Sequence, residues 1–268
     1  MATFRQPISR EEAESLAENF VTMARELYER RLLSHPFMQS LAAGTVSEST
    51  LKLFIENWYT FALEVNTAAS TVYHRFISFY KTHPAMEDLL TATIAEEFSR
   101  PGPGGHIRIM QRVGEAAGLT RDEMAAAELI PEARAWVDFQ VRLLREGTLA
   151  EVAADFICEG EFGHFAKVFF EALTKKYNFS TNSSQYFQDH FEADAKGKAQ
   201  TAGSDLSHGE RGKALLTTLL EEGLVEERTG WGLNYTISIT VAMFELLLDG
   251  VERGRREPIE LAMAARND

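Results

Sequence analysis

Three residues in the segment 186-YFQDHFEADAKGKA-199 have types and a spacing that bear on metal binding. His190, Asp194 and Gly197 follow one another at intervals of four and three residues. Because positions i, i+4 and i+7 of an α-helix fall within a sector of about 60°, these residues share one face of a predicted helix. Imidazole and carboxylate groups bind metal ions, but glycine has no side chain with which to do so. The segment therefore predicts part of a metal site and leaves open which residue completes it.

Two acidic residues, Glu97 and Glu159, lie within apolar stripes of other predicted helices. The positions at helical spacing around Glu159 are apolar except for Asp155, and those around Glu97 include Ile94. A buried carboxylate without partners protonates rather than stays charged, so it needs a cation or hydrogen-bond donors. A single acid or histidine on a mixed helical face is more often a solvated residue or half of an ion pair. The combination of acids and histidines on several helices favours a metal site.

A second helical pattern competes with this interpretation. Glu161 and His164 match the Glu-x-x-His unit of ferritin-like carboxylate proteins. That architecture requires two such units, and among the seven histidines only His164 has a glutamate three positions before it. We therefore expect this pair to lie outside the metal site.

The elements that must position these residues are predicted to be helices nearly throughout the chain. Capping-box patterns open four of them, at Ser9, Thr45, Thr120 and Ser207. The crowded prolines and glycines of 99-SRPGPGG-105 exclude a helix and make that segment a loop. The predicted helices lie near residues 9–33, 45–61, 71–79, 85–98, 106–118, 131–145, 149–175, 186–196, 207–222 and 235–253, with a further short helix after Thr120. The fold class is thus all-α, with residues 1–268 forming one domain and residues 255–268 a fraying tail.

The composition excludes several classes of function. A formal net charge of −13 and the lack of a basic stripe argue against a nucleic-acid partner. We expect no signal peptide and no membrane span, because the most apolar segment, 236-TISITVAMFELLL-248, is too short and contains Glu245. The single cysteine, Cys158, excludes an intrachain disulfide and fits a reducing cytoplasm.

Three further segments share motifs with a known family. They are 35-HPFMQSLAAGTVSESTLKLFIENWYTFA-62, 114-GEAAGLTRDEM-124 and 152-VAADFICEGEF-162. Through them the chain resembles the heme-oxygenase-like superfamily over about residues 17–220. The most similar branch contains pyrroloquinoline-quinone synthase C, CADD and the heme-oxygenase-like diiron oxidases. The resemblance implies a single heme-oxygenase-like helical bundle that forms a homodimer.

The diiron members of that branch bind their metals through a Glu, a His, a second Glu and a His-x3-Asp-x2-His motif. Intervals of 9, 53, 31 and 4 residues in this chain match the pattern. Glu96 is an alternative first ligand, since a one-residue shift across the glycine loop lies within alignment error. The resemblance implies as metal ligands Glu97, His106, Glu159, His190 and Asp194.

Gly197 stands where the pattern has its final histidine. His208 is the candidate for the missing ligand, and Asp205 would then compete with Asp194 as the carboxylate. An unbroken helix would carry His208 about 16 Å along its axis, so the chain must bulge before it for His208 to return. The alternatives are a sixth position filled by water or substrate, and a His208 that merely lies in the first turn of a helix.

This ligand set predicts a non-heme iron-dependent oxidase or oxygenase. Carboxylates with histidines suit one or two Fe(II) ions, or Mn(II), better than copper. By resemblance O2 is the co-substrate, and the substrate is a small amino acid, amine or carboxylate in a biosynthetic pathway. The alternatives are a metal-free oxidase resembling pyrroloquinoline-quinone synthase C and a non-catalytic helical interaction protein. A TenA-type thiaminase is disfavoured because no matching arrangement surrounds Cys158.

Overall fold

Helices make up almost all of the described chain. The structure is a computed structural model that describes residues 3–191, 205–227 and 232–256. The strands in these ranges form one two-residue antiparallel ladder between β1 (Thr3–Phe4) and β2 (Glu226–Glu227). The prediction of an all-α fold is confirmed. The helices are α1 Arg10–Leu27, α2 Pro36–Ala43, α3 Glu48–Arg75, α4 Ile77–Tyr80, α5 Pro84–Ser99, α6 Gly105–Ala116, α7 Arg121–Ala126, α8 Pro131–Glu146, α9 Leu149–Lys175, α10 Gln185–Phe191, α11 Asp205–Glu221 and α12 Leu233–Arg256.

Side-chain caps set several helix starts, as the sequence predicts. The Ser9 and Thr120 side chains accept hydrogen bonds from backbone N–H groups of Glu12 and Glu123, whose carboxylates complete both capping boxes. The prediction of a cap at Thr45 was wrong. Ser47 caps α3 instead, because the Thr45 hydroxyl donates to the Ser40 carbonyl at the end of α2.

Three other predicted boundaries also differ from the structure. The cap predicted at Ser207 was wrong, because α11 already includes Asp205. The first helix stops being α-helical at Leu27 and continues as a π-helical segment, Tyr28–Leu33. The helix predicted over residues 71–79 is split, because α3 runs on to Arg75 and a break at Phe76, with φ −110° and ψ 22°, separates it from α4. By contrast, the strand-like residues 235–240 lie inside α12, as predicted.

Helix α9 lies at the centre of the molecule and packs against α1, α2, α10, α11 and α12. Its contact with α11 is close because α11 carries glycine where the helices meet. A Cβ added at Gly212 would lie 2.7 Å from the Ala153 carbonyl oxygen, and one at Gly209 would lie 2.9 Å from the Gly160 Cα. This backbone contact carries the first turn of α11 alongside Glu159.

Aromatic side chains fill the core between α3 and α9. Trp58 stacks on Phe162 and Phe54, with ring centroids 5.0 and 5.4 Å apart. Phe54 also stacks on Phe169 at 4.5 Å. Such rings provide a rigid apolar wall beside the acidic residues of α9. Among the described helices, none combines the length and the apolar character that a bilayer span requires.

Candidate metal centre

Glu97 and His106 meet across the loop between α5 and α6. Glu97 lies in the last turn of α5, and His106 is the second residue of α6. The turn requires Gly105, whose φ is +50° and whose Cβ, if present, would lie 1.9 Å from the Glu97 carbonyl oxygen. This approach brings His106 Nδ1 to 2.9 Å from Glu97 Oε1.

The contact between these side chains has the distance but not the direction of a hydrogen bond. His106 is buried, and its Nδ1 has no correctly oriented hydrogen-bond partner in the described structure. Two ligand atoms at right angles around a metal ion with bonds of about 2.1 Å lie about 3 Å apart. The geometry therefore fits two ligands of one metal ion. The other Glu97 oxygen, Oε2, accepts a hydrogen bond from Asn66 Nδ2.

His208 reaches the site from α11, between two carboxylates. Its Nδ1 lies 2.9 Å from Glu159 Oε1, and its Nε2 lies 2.7 Å from Glu96 Oε2. Arg211 donates to both oxygens of Glu96, at 3.0 and 2.9 Å. A carboxylate bound to one ring nitrogen fixes the tautomer of a histidine and directs its other nitrogen toward a metal. Glu96 therefore orients His208, and Nδ1 is the nitrogen that faces the acids of the cavity.

The two pairs come together at Glu97. One ligand atom from each of Glu97, Glu159 and His208 lies within 4.8 Å of the others, which is close enough to hold a metal ion. His106 contacts Glu97. Glu97 is thus shared between a histidine of α6 and a Glu–His pair of α9 and α11.

His190 of α10 lies beside this group. Its ring centroid is 4.6 Å from that of His106 and 5.2 Å from that of Phe162. Its Nδ1 is hydrogen-bonded to the Tyr186 carbonyl, so Nδ1 carries the proton and Nε2 is the nitrogen with a lone pair. Burial, reinforced by the charge of His106, lowers the pKa of His190 to about 3. The imidazole is therefore neutral at physiological pH, as a metal ligand must be.

The charges of the site compensate one another. Burial raises the pKa of Glu97, but the neighbouring His106 outweighs it and the resulting pKa is about 2. Burial lowers the pKa of His106, but Glu97 reverses that effect and raises it. The pKa of Glu96 is lowered in the same way by His208 and Arg211, against the effect of its burial. Glu97 and Glu96 are therefore ionised at neutral pH.

Glu97 and Glu159 line a cavity of about 110 Å³. A third acid, Asp155, also lines this cavity, and no lysine or arginine is present along its described walls. His190 lines it as well. Most of the remaining surface is apolar and includes Trp58, Phe61, Trp136, Phe162 and Phe244. A cation is the natural partner for such a cavity.

A known family matches the greater part of the sequence. The profile of the TENA/THI-4/PQQC family matches residues 23–212. The chain belongs to this family. The matched residues include every candidate ligand from Glu97 to His208. No protein of curated function matches the sequence.

Solved structures with a heme oxygenase-like fold resemble this family member. A TenA homolog from Pseudomonas syringae pv. tomato superposes with a TM-score of 0.66 and 13% identity, covering 94% of this chain and 100% of that one. A domain of unknown function with a heme oxygenase-like fold from Shewanella denitrificans superposes with a TM-score of 0.61 and 13% identity, covering 90% of this chain and 92% of that one. A putative TenA-like thiaminase from Sulfolobus solfataricus superposes with a TM-score of 0.56 and 13% identity, covering 88% of this chain and 95% of that one. At these identities the likeness establishes the fold alone.

The structure of this TENA/THI-4/PQQC family member brings five of the six predicted ligands into one region. They are Glu97, His106, Glu159, His190 and His208. The sixth, Asp194, lies outside the described residues, as does Gly197. The side chain of Asp205 lies outside them too. Of the alternatives for the first ligand, Glu97 faces the cavity and Glu96 lies behind His208.

The prediction that Glu161 and His164 lie outside the site agrees with the geometry. Glu161 Oε2 lies 3.5 Å from His164 Nε2, and Glu161 Oε1 lies 3.4 Å from an Arg25 nitrogen. Glu161 thus pairs with both His164 and Arg25. Neither Glu161 nor His164 lines the cavity. Cys158 is fully buried, and its thiol faces the Ile237 carbonyl of α12 at 4.0 Å.

Some site residues have no clear signal in the sequence. Asn66 and Arg211 act on Glu97 and Glu96 from other helices, and nothing in the local sequence relates them to these acids. Asp155 had a signal, since it is the one acid in the apolar stripe around Glu159. We interpreted it as an exception to that stripe, whereas it is 9% exposed and lines the cavity.

Proposed function

We propose that this family member is a non-heme iron-dependent oxidase or oxygenase that uses O2 on a small amino-acid, amine or carboxylate substrate. The observation that supports it is the approach of Glu97, Glu159 and His208 within 4.8 Å at the wall of a mainly apolar cavity. His106 and His190 lie next to this cluster. Glu97 and His208 are buried and Glu159 is partly exposed, and carboxylates and imidazoles at this spacing are typical of metal ligands.

Glu97 lies between two groups of residues that would each hold an ion. His106 and His190, with Asp194 by resemblance, would hold one ion, and Glu159 with His208 would hold the other. Hard carboxylate oxygens combined with neutral imidazoles suit Fe(II), and Mn(II) is the alternative. Ferrous iron supplies the ability to bind and reduce O2, which no protein side chain has.

The residues around the ligands orient them. Arg211 holds Glu96, and Glu96 holds His208, so that Nδ1 faces Glu159. Asn66 orients Glu97 in the same manner. The aromatic walls make most of the cavity surface apolar, and an apolar surrounding strengthens electrostatic interactions. The substrate would lie in this cavity, against the ligands.

Cys158 argues against a thiol-dependent activity of the thiaminase kind. The residue is buried away from the cavity lining, and burial raises the pKa of its thiol well above the usual range. A catalytic cysteine needs an accessible thiolate, which these surroundings disfavour. A homodimeric, cytoplasmic enzyme stays a prediction from the resemblance and the composition.

Oxygen uptake by the iron-loaded protein tests the proposal. The protein is loaded with Fe(II) without oxygen, freed of unbound metal and mixed with oxygenated buffer while O2 and the iron spectrum are followed. We expect O2 to be consumed in proportion to bound iron. The Glu159→Ala and His190→Ala variants should lose most of this uptake, because each removes a ligand.

His164→Ala is the matched control, since His164 is a half-exposed histidine of α9 outside the cavity. It should consume O2 at the wild-type rate. Iron retention below about 0.2 equivalents in the wild type would exclude the proposed function, because preformed ligands bind a supplied metal. Equal uptake by wild type, Glu159→Ala and His190→Ala would exclude this cluster as its location.

A further inference from the structure

Asp155 forms a second polar group in the cavity. It precedes Glu159 by one turn of α9, and both side chains line the cavity. Gln140 Nε2 from α8 and Thr240 Oγ1 from α12 donate hydrogen bonds to Asp155 Oδ1 at 3.1 and 3.2 Å. Both donors are neutral, and no lysine or arginine lines the described walls. A negative charge on Asp155 therefore has no counter-charge among the described residues of the cavity.

Gln140 provides an unused acceptor at the same place. Its side chain is 5% exposed, and its Oε1 accepts no hydrogen bond within the described structure. Such a buried acceptor without a donor is costly and calls for an explanation. A primary ammonium group carries three N–H donors and a positive charge. It would satisfy the carboxylate of Asp155 and the amide oxygen of Gln140 together.

An aromatic layer lies one turn away from these polar residues. Trp136 precedes Gln140 by one turn on α8, and Phe244 follows Thr240 by one turn on α12. The two rings stack with centroids 4.8 Å apart, and Phe61 stacks on Trp136 at 3.6 Å. Aromatic faces attract cations and pack against aliphatic carbon. The cavity thus offers an acidic, hydrogen-bonding end beside an apolar, π-rich wall.

We propose that Asp155, Gln140 and Thr240 bind the ammonium group of a primary amine, which is the substrate class of the enzyme. This inference deepens the proposed function and rests on it. Residues one helical turn apart have their Cβ atoms about 5–6 Å from each other. An amine nitrogen at Asp155 therefore places carbons a few bonds away beside Glu159, where the metal ligands meet.

A simpler role for Asp155 makes a different prediction. Burial raises its pKa to about 7, so the residue could be a protonated, hydrogen-bonded core group that binds nothing. In that case the cavity would favour a neutral ligand over a cation. An ammonium ion would instead keep Asp155 ionised, as His106 does for Glu97.

Calorimetric titration of the Mn(II)-loaded protein without O2 separates these roles. The probes are n-butylamine, which is a cation at pH 7.5, and 1-butanol, its neutral counterpart of the same shape. We expect the amine to bind at least about tenfold more tightly, as for a hydrogen-bonded charge pair. Equal affinities, tighter binding of the alcohol, or no binding of either probe would overturn the inference.

Variants locate the binding of the amine. Asp155→Asn keeps the shape and loses the charge, so affinity for n-butylamine should fall about tenfold while bound manganese stays constant. Glu161→Gln is the control, because it neutralises a buried acid of α9 that does not line the cavity. If Asp155→Asn does not fold, Gln140→Leu serves, and it should weaken the amine about threefold. Unchanged amine binding in Asp155→Asn, or in Gln140→Leu where that variant replaces it, would refute the assignment.

The outcome is distinguishable from a failure of the proposed function. The same titrations are repeated on chelated protein, and bound metal is counted separately. Metal binding without an amine preference would remove the ammonium site and leave the metal enzyme in place. If the chain binds no metal but still prefers the amine through Asp155, the ammonium site is supported and the proposed oxidase function is excluded.

Discussion

Glu97 and Asp155 line the same cavity and are buried to the same extent, at 8% and 9% exposure. Their pKa values nevertheless move in opposite directions, to about 2 for Glu97 and about 7 for Asp155. Burial raises both, but Glu97 has His106 at 2.9 Å whereas Asp155 has only a neutral amide and a hydroxyl. The difference teaches that burial alone does not decide the charge of an acid here. The groups beside the acid decide it, because Glu97 lies against an imidazole that can carry a proton whereas Asp155 lies against neutral donors.

The largest effect should separate the two acids by their response to pH. The pKa of Asp155 rises from 3.8 to about 7 on folding, so the folded chain binds more protons than the unfolded chain between these values. Asp155 therefore contributes a loss of stability of at most about 4 kcal/mol as pH rises from about 4 to about 7. The lowered pKa of His190 contributes a gain over about pH 3 to 6.5, so the loss is measured as the difference between the wild type and Asp155→Asn. Asp155→Asn should lack this loss in urea unfolding of the chelated protein. Asp138→Asn, at an exposed acid of α8, should follow the wild type; a parallel decline in Asp155→Asn would show that Asp155 does not cause it.

A second test moves His208 away from Glu159 through the backbone. A Cβ at Gly212 would lie 2.7 Å from the Ala153 carbonyl, so Gly212→Ala should push α11 off α9. We expect a loss of about 1–3 kcal/mol in unfolding free energy, despite better helix propensity, and weaker metal binding. Gly232→Ala is the control, because a Cβ there meets no atom within 4 Å. Unimpaired stability and metal binding in Gly212→Ala would mean that close helix packing does not hold His208.

A third test removes a compensating group from the metal end. Glu96→Gln keeps the size of the side chain but loses the charge that holds His208 Nε2 and Arg211. Mn(II) affinity, measured by competition with a chelating dye, should fall about 10–100-fold. Asp88→Asn, an exposed acid on the same helix, should bind Mn(II) as the wild type does. An unaltered affinity in Glu96→Gln would show that His208 needs no support from Glu96.

The smallest expected effect concerns the donors around Asp155. Thr240→Val removes a hydroxyl donor at 3.2 Å while keeping the volume of the side chain. We expect a loss of about 1 kcal/mol in unfolding free energy above pH 7 and a further rise in the pKa of Asp155. Thr236→Val, one turn earlier on α12, changes a buried threonine outside the cavity lining and should leave that pKa unchanged. Equal titration of Asp155 in both variants would mean that Thr240 does not bind it.

The helices were predictable where local chemistry sets them, as at the capping boxes of Ser9 and Thr120. Prediction failed at Thr45, because its hydroxyl was taken by the end of the preceding helix. The break at Phe76 was also missed, since no proline or glycine marks it. Local spacing records caps and loop residues, but not competition between neighbouring elements.

The candidate site was predictable as a set of residue types in order, and less so as a geometry. Spacing indicated Glu97 and Glu159, and the structure brings His208 beside them, which was one of three open alternatives. The sequence could not assign Glu96 to a supporting position, because that depends on which side of α5 faces α11. It also could not reveal that Asp155 lacks a counter-charge, since this depends on α8 and α12 together.

Metal stoichiometry of the anaerobically reconstituted protein tests the central claim most directly. After loading with Fe(II) and removal of unbound ions, the account predicts that the wild type retains one to two equivalents by elemental analysis. His208→Ala should retain about one equivalent less than the wild type, because its pair with Glu159 is lost, while His164→Ala should match the wild type. Retention below about 0.2 equivalents by the wild type, or equal retention by His208→Ala, would contradict a metal centre built on Glu97, Glu159 and His208.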